Sequence, residues 1–380
     1  MKKTIAILAL IIAAALAASA AAEGTFGVRT MSYNIRCEID ADTGDTAWTA
    51  RRKALCDFVK EVDPDVIGFQ EVSPNQMAYL KSQLTDYEIF GKHRWADNTQ
   101  LATPVAYKKS RFALLDGGTF WLSTTPDVQG SMSLPGGNTG SDPETCSWAL
   151  LKDRTTGGVF CFFSTHLDWK QPVCRKLQME IAVERVMRYV DNAVPTFIMG
   201  DLNARWWENT IAEVACSNLN NACLISSTTP TGPWRTFNGW EYLSGDDEPS
   251  YEAQFNLPSA ERNPTPVDYI LTSRDIAVDA FAIRNDTQPG KEQYPSDHFP
   301  VVAELVMPCD NDLFTGKVRV EFTKSIPYVG AGRFVLTDGA NLVNDDNLEF
   351  DLHDWILRAA VEDGEIVIYT KPKPFRIHVR

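Results

Sequence analysis

Two rhythms of hydrophobic and polar positions alternate along this chain. Apolar residues at every second position mark short strands, and apolar residues three and four apart mark helices. "VRTMSYNI" has strand character from Val28 to Ile35. "AWTARRKALCDFVKEV" then places Trp48, Leu55, Phe58, Val59 and Val62 on one helical face. Asp63-Pro64 stops that helix, because the residue before a proline is pushed out of the helical region. "DVIGFQE" is a short apolar strand ending on Glu71, and Ser73 and Pro74 follow as cap and first residue of another helix. Further strands are expected at 104–107, 118–122, 148–152 and 159–165. Across 173–190 Leu177, Ile181, Met187 and Val190 are spaced to face a core. Strands at 196–199, 267–272 and 301–307 complete the pattern, so the class is mixed α and β.

The rhythm is interrupted at 123–146 and 226–266, two long stretches rich in Gly, Pro, Ser and Thr. Irregular segments of that length carry recognition, or are inserts without a role. Asp310 to Asp312 marks a boundary, and the short alternating segments after it ("KVRVEF", "GRFVLT", "EIVIYT", "FRIHVR") predict a small β-rich accessory domain over 310–380. The main domain is then 23–308. Ahead of it stands "MKKTIAILALIIAAALAASAAAEG", with two lysines, an apolar run and small residues offering Ala-x-Ala sites, which predicts a signal peptide over 1–22. The run is too short for a membrane span of about 20 apolar residues, so a secreted or periplasmic protein with no stable membrane span is expected.

The 380 residues are 44% hydrophobic and 23% charged, which is ordinary globular composition. The formal net charge is −14, and losing Lys2 and Lys3 with the leader makes it more negative still. An acidic chain lacks a general hold on polyanions, which weighs against long nucleic acid as the main partner. Eight cysteines in an exported chain permit disulfides. Cys216 and Cys223, in the polar loop "ACSNLNNAC", could close a local bridge, whereas Cys161 in "VFCFFST" reads as a buried strand residue. None has the paired spacing of a structural zinc site.

Chemistry gathers where the strands stop. One ends on Asn34, one on Glu71, one on "STHLD" with His166 and Asp168, and one on "GDLN" with Asp201 and Asn203. "VDYIL" carries Asp268 inside an apolar strand, and "PSDHFPVV" sets Asp297 and His298 just before another. Taken singly, each is explained by local backbone work: a turn, a cap, a helix start. Taken together they put acidic and amide groups at apolar strand ends, where buried carboxylates need one another or a cation. Only five histidines exist, and two of them fall in this set. Hard oxygen donors favour Mg²⁺, with Mn²⁺ as the alternative, and such an ion suits attack of water on a phosphate. The His-rich HExxH spacing of a zinc hydrolase is absent.

"MSYNIR", "PDVIGFQEV", "STHLDW", "IMGDLNAR", "VDYIL" and "PSDHFPV", in this order, resemble the successive motifs of the endonuclease/exonuclease/phosphatase superfamily. "GTFWLSTTPDV" and the "RRKAL" helix start are most similar to a bacterial secreted branch of metal-dependent hydrolases. The resemblance spans Val28 to about Met307 and implies a four-layered α/β sandwich, two mixed β-sheets face to face with helices outside. It implies Glu71 as main Mg²⁺ ligand, with Asn34 and Asp297 beside the metal or its waters. Asp201 would orient or deprotonate the attacking water, and Asn203 would hold that water or the phosphate. His298, braced by Asp268, would stabilise the phosphorus transition state, and His166 would contact the phosphate or assist the leaving group. Leu202 stands where Phe is common and Val267 where Ile is frequent; neither change removes a polar group.

The implied reaction is metal-dependent phosphoester hydrolysis by a phosphodiesterase or phosphatase. A small-molecule or lipid-headgroup phosphoester is favoured, with a nuclease acting on DNA or RNA, or a non-catalytic binding protein on the same fold, as alternatives. Tyr107, with Lys108, and the rim tryptophans Trp121 and Trp169 are candidate substrate contacts; core packing or a plain surface position is the other reading of each.

Overall fold

A computed structural model describes residues 24–95, 97, 99–191, 194–242 and 266–309, and the backbone of short strands between 318 and 370. The leader expected over 1–22 and the 243–265 part of the second irregular stretch lie outside the described residues. The chain divides into two compact units, Met1–Cys309 and Asp310–Arg380. In the second unit the described strands form a parallel pair, Val318–Val320 with Leu348–Phe350, and a three-stranded antiparallel sheet of Arg333–Leu336, Glu365–Thr370 and Ile356–Glu362.

The first unit is built on two sheets. One holds β1 (Thr25–Asn34), β2 (Val66–Gln70), β3 (Tyr87–Phe90), β4 (Val105–Lys108), β11 (Ala277–Ile283) and β12 (Val301–Pro308), in the order β11-β12-β1-β2-β4-β3. The other holds β5 (Phe112–Trp121), β6 (Thr145–Asp153), β7 (Val159–His166), β8 (Thr196–Asp201), β9 (Asn220–Asn221) and β10 (Asp268–Thr272), in the order β5-β6-β7-β8-β10-β9. Each sheet has one parallel pair, β1 with β2 and β7 with β8, and is otherwise antiparallel. A parallel neighbour requires a crossover, and helices supply it: α1 (Trp48–Val62) links β1 to β2, and α3 (Pro172–Val190) links β7 to β8.

Alternation of side chains makes the layers. Val28, Val66 and Val105 of the first sheet pack against Phe112, Phe160, Phe162, Phe197 and Met199 of the second. The opposite face of the first sheet, Met31, Tyr33, Ile67 and Phe69, packs on Leu55, Phe58, Val59 and Val62 of α1 and on Met77 and Leu80 of α2 (Pro74–Gln83). On the far side, Trp148 and Phe163 meet Tyr189 of α3 at 5.5 and 5.9 Å between ring centroids. The result is the expected four-layered sandwich, helix, sheet, sheet, helix.

Local sequence explains most boundaries. α1 ends with Asp63 in the left-handed conformation, ahead of Pro64. α2 starts in a capping box, in which the Ser73 hydroxyl accepts from Gln76 N and Ser73 N donates to the Gln76 side chain. The face of α3 differs from expectation. Cys174, Gln178, Met179, Ala182, Val183 and Val186 are buried, and Leu177, Ile181, Met187 and Val190 lie half-buried on its flanks. The helix packs on both β8 and a π-helical turn at Thr210–Ala215, and this double contact rotates its buried stripe. Edge strands β3 and β11 escaped the pattern reading: β3 is only four residues long, and the alternation of β11 is broken by a register shift between Val278 and Ala280. Cys161 is buried as expected, but Cys216 and Cys223 form no bridge: Cys216 is exposed and Cys223 buried.

Along the inner face of each central strand, character changes from apolar to polar toward one end. The sequence runs Val28, Thr30, Ser32, Asn34 on β1 and Val66, Gly68, Gln70 on β2; on β7 it is Phe160, Phe162, Ser164, His166, and on β8 Phe197, Met199, Asp201. The sheets come so close that a Cβ on Gly68 would lie 2.8 Å from Met199 Cγ. Gly200 is more constrained: its φ is 155°, and a Cβ there would sit 1.9 Å from the Thr165 carbonyl oxygen. Gly200→Ala is therefore expected to destabilise the first unit by more than about 2 kcal/mol, read as a shifted urea midpoint. An unchanged midpoint would show that the strand relaxes freely.

Candidate active site

The parallel pairs deliver their carboxyl ends to one end of the sandwich, where open α/β sheets bind ligands. Register does the fine placement: His166 on β7 and Asp268 on β10 are both partners of Asp201 on β8, so three functional groups occupy one row. Asn34 pairs with Gln70 at the end of the other sheet, with Glu71 next in the chain. Glu71 and Asn203 both adopt left-handed backbone, φ 60° and 49°. Such conformations in residues other than glycine are held by their surroundings and cluster at functional sites.

Asp201, almost wholly buried, is the hub. Its Oδ2 accepts from Asn34 Nδ2 at 3.0 Å, and its Oδ1 accepts from Asn203 N at 2.9 Å. Oδ2 also lies 3.6 Å from Nε2 of both His166 and His298. Burial, then the neighbouring Asp268 carboxylate, pushes the Asp201 carboxyl above its ordinary value against the pull of the two histidines. Glu71 is more open. Its Oε1 accepts from Asn34 Nδ2 at 3.2 Å and its Oε2 from Cys37 N at 3.0 Å, and Oε1 stands 3.8 Å from His166 Nε2. Burial alone would raise the Glu71 carboxyl, but His166, His298 and these hydrogen bonds bring it down to about 2.

The histidines are held differently. His298 Nδ1 is 2.9 Å from Asp268 Oδ2, and although burial opposes it, Asp268 and Asp201 raise His298 well above the usual imidazole value. Asp268 Oδ1 is buried without a hydrogen-bond partner. His166 Nδ1 lies 3.2 Å from Glu144 Oε2 and 2.7 Å from Arg94 Nη2, and Arg94 and Glu144 form a buried ion pair. Asn203 Nδ2 reaches His166 Nε2 at 3.1 Å and donates to the Leu167 carbonyl at 2.9 Å. Asp297, whose carboxyl burial raises, faces Arg36 at 3.6 Å.

Glu71, His166 and Asp201 bring ligand atoms within 4.8 Å of one another, and so do Asp201, Asp268 and His298. The candidate ligand atoms are mainly carboxylate oxygens, and Asn34 Nδ2 bridges Glu71 and Asp201. This set fits a hard divalent cation bound at Glu71, which would also compensate the crowded carboxylates.

A family profile matches residues 31–298 and carries the description endonuclease/exonuclease/phosphatase family. The chain belongs to this family. Its members are hydrolases of phosphoester bonds, typically metal-dependent. Among solved structures, the family member from Bacteroides vulgatus is 25% identical with a TM-score of 0.62, the match covering 74% of this chain and 98% of that one. The mannosyl-6-phosphatase from Bacteroides thetaiotaomicron is 25% identical with a TM-score of 0.63, covering 73% and 99%. The human nocturnin catalytic domain shares the fold at 20% identity and a TM-score of 0.54, covering 73% and 94%. A comparison with curated proteins gives no match.

The site of this family member thus gathers Asn34, Glu71, His166, Asp201, Asn203, Asp268, Asp297 and His298 from distant chain segments. Asp168 does the local work instead: it accepts from the backbone of Ser141, Lys170 and Gln171 and shapes the turn into α3. Two expected substrate contacts are corrected. Tyr107 pairs with Val66 at the start of β2, away from the Glu71 end, and its ring belongs to the inter-sheet core; Lys108 pairs with Asp63 and Asp65. Trp121 is buried and donates from Nε1 to the Arg94 carbonyl at 2.7 Å, so it props Arg94 from below. Trp169 is exposed three residues beyond His166.

Sequence reading missed Arg94 and Glu144, which stand on irregular segments without a motif. It also missed the work of Arg51, a buried guanidinium donating to the carbonyls of Ile35, Arg36, Thr46 and Pro295, which ties the loop after β1 to the segment carrying Asp297 and His298. In metal-free protein, the His298 ring should titrate above the usual value of about 6.5. Its charged form then stabilises the fold in full below about pH 6.5 and loses that contribution as pH rises through the folded value. NMR titration should show the transition moving down in Asp268→Asn; an unmoved His298 resonance would show that Asp268 does not set its charge.

Proposed function

We propose that this protein is a Mg²⁺-dependent phosphoester hydrolase acting outside the cytoplasm on a small phosphorylated substrate. The observation carrying this is the buried carboxylate of Asp201, in contact with Asn34, Asn203 and both histidines, beside the less buried, strongly acidic Glu71. Glu71 would hold the ion, with Asn34 and Asp297 beside it. The ion would supply positive charge to the phosphate oxygens.

The rest follows from the chain's own groups. Asp201, its carboxyl raised by burial, is a suitable acceptor for the proton of the attacking water. Asn203, fixed on Asp201 and Leu167, positions that water or a phosphate oxygen. His298, kept cationic by Asp268, donates from Nε2 to phosphoryl oxygens as their charge grows, and in a preorganised buried site such donors are effective. His166, oriented by Glu144 and Arg94, is placed to contact the phosphate or the departing oxygen.

The acidic net charge supports a small substrate over a long polyanion. The similar mannosyl-6-phosphatase supports a phosphorylated sugar as a substrate class to test first. The leader-like first 22 residues motivate the extracytoplasmic assignment; an intact Met1 on protein recovered from cells would refute it.

Glu71→Gln should lower kcat on p-nitrophenyl or sugar phosphates by about 10²–10³-fold without lowering the melting temperature, and chelation followed by Mg²⁺ should abolish and restore wild-type turnover. Undiminished turnover in the variant, or indifference to the chelator, would overturn the assignment.

A further inference from the structure

Phe237 is large, apolar and half-exposed, at 49%, yet it is not on a loose loop. Its backbone pairs antiparallel with His298, and the segment around it is pinned: Phe299 N donates to the Thr236 carbonyl at 2.6 Å, Asn238 N to the Asp297 carbonyl at 2.8 Å, and Asn238 Nδ2 to the Ser296 carbonyl at 3.1 Å. The phenyl centroid lies 5.1 Å from the His298 ring, at 61° to it. The core beneath this segment is made by other rings, Tyr294 against Phe299 at 4.7 Å. Packing therefore does not require a phenyl group at Phe237, whose free face flanks the imidazole assigned to the phosphate.

Two more exposed aromatic residues leave the site on other segments. Trp169 follows His166 by three residues and is 58% exposed, with Lys170 Nζ 4.4 Å from its ring centroid. Trp207 follows Asn203 by four residues, with the Arg205 guanidinium 5.5 Å from its ring. The segments leaving the site thus combine apolar ring faces with cationic hydrogen-bond donors.

Resting on the phosphoesterase reading, we propose that Phe237 is a specificity-determining wall of the substrate site and that the group it receives is a sugar ring bearing the phosphate. A pyranose offers a C–H face to an aromatic ring such as Phe237 and hydroxyls to hydrogen-bond donors. A nucleobase is best held by an open aromatic face that it can stack on. Half-exposed Phe237 leaves such a face open as well, and turnover of AMP separates the two ligands.

The test compares the full-length wild type with Phe237→Ala and Phe237→Tyr, in Mg²⁺, on glucose 6-phosphate, glycerol 3-phosphate and AMP, with melting temperatures measured in parallel. Phe237→Ala should lower kcat/KM on glucose 6-phosphate about 10-fold, mainly through KM, because one aromatic contact is of that order. Glycerol 3-phosphate, which has no ring, should change less than about twofold, and Phe237→Tyr should retain most of the wild-type value. Equal losses on both esters would make Phe237 a support for His298 and overturn the proposal, as would an active Phe237→Ala enzyme with unchanged KM. AMP preferred over glucose 6-phosphate, with the same dependence on Phe237, would overturn the sugar assignment. A wild type inactive on all three and on p-nitrophenyl phosphate would overturn the phosphoesterase reading itself, which separates that failure from failure of the wall.

Discussion

The structure depends on how one buried carboxylate is accommodated. Asp201 sits at the end of a strand whose preceding inner-face residues, Phe197 and Met199, belong to the core. Left there alone, its charge would be driven to neutrality or the strand would not stay buried. Instead Asn34 and the Asn203 backbone donate to it, and two imidazoles face it. Each of those groups needs its own support: Asp268 behind His298, Glu144 and Arg94 behind His166, the Ser296 hydroxyl on the Asn34 carbonyl. Meeting the electrostatic needs of one side chain therefore organises the carboxyl ends of both sheets.

That demand explains the shape of the sandwich near the site. The inner face passes from phenylalanine and valine through threonine and serine to asparagine, aspartate and histidine, and the two sheets are linked there by hydrogen bonds. The Ser164 hydroxyl donates to the Phe69 carbonyl, and Gln70 donates to Ser164. Gly68 and Gly200 allow the close approach, one between sheets and one within the second. Glu71 and Asn203 then leave their strands through left-handed backbone, which turns their side chains away from the sheet direction. Glu71 is the more open of the two carboxylates beside Asn34 and keeps its charge because the histidines and the Cys37 N–H favour it. A more exposed carboxylate held down to about 2 thus stands beside a buried one that burial raises.

The motif residues were legible because each combines an unusual residue type with a position at or near a strand end; Asn34, Glu71, His166, Asp201, Asn203, Asp268, Asp297 and His298 lie near one another in the fold. Residues without such punctuation were not legible. Arg94 and Glu144 stand on irregular chain, and their meaning comes only from meeting His166. Tyr107 and Trp121 read as candidate substrate contacts and prove buried, since β4 is an inner strand and β5 ends beneath Arg94. Phe237 carries no sequence signal; only its bridge to His298 makes it noticeable.

By itself the sequence determined the alternation of strands and helices, the helix stop at Asp63-Pro64 and the helix start at Ser73-Pro74, and the list of polar groups at strand ends. These are local properties, set by side-chain period, backbone restriction and the cost of burying charge. Tertiary structure decided which face of α3 is buried, which cysteines stay apart, which aromatic residues reach solvent, and which charged groups support His166. Those depend on register and on the approach of segments far apart in the chain, as when the row Asp268, Asp201, His166 forms from three strands. No local pattern encodes such a meeting, because its energy belongs to pairs of residues that the sequence holds apart.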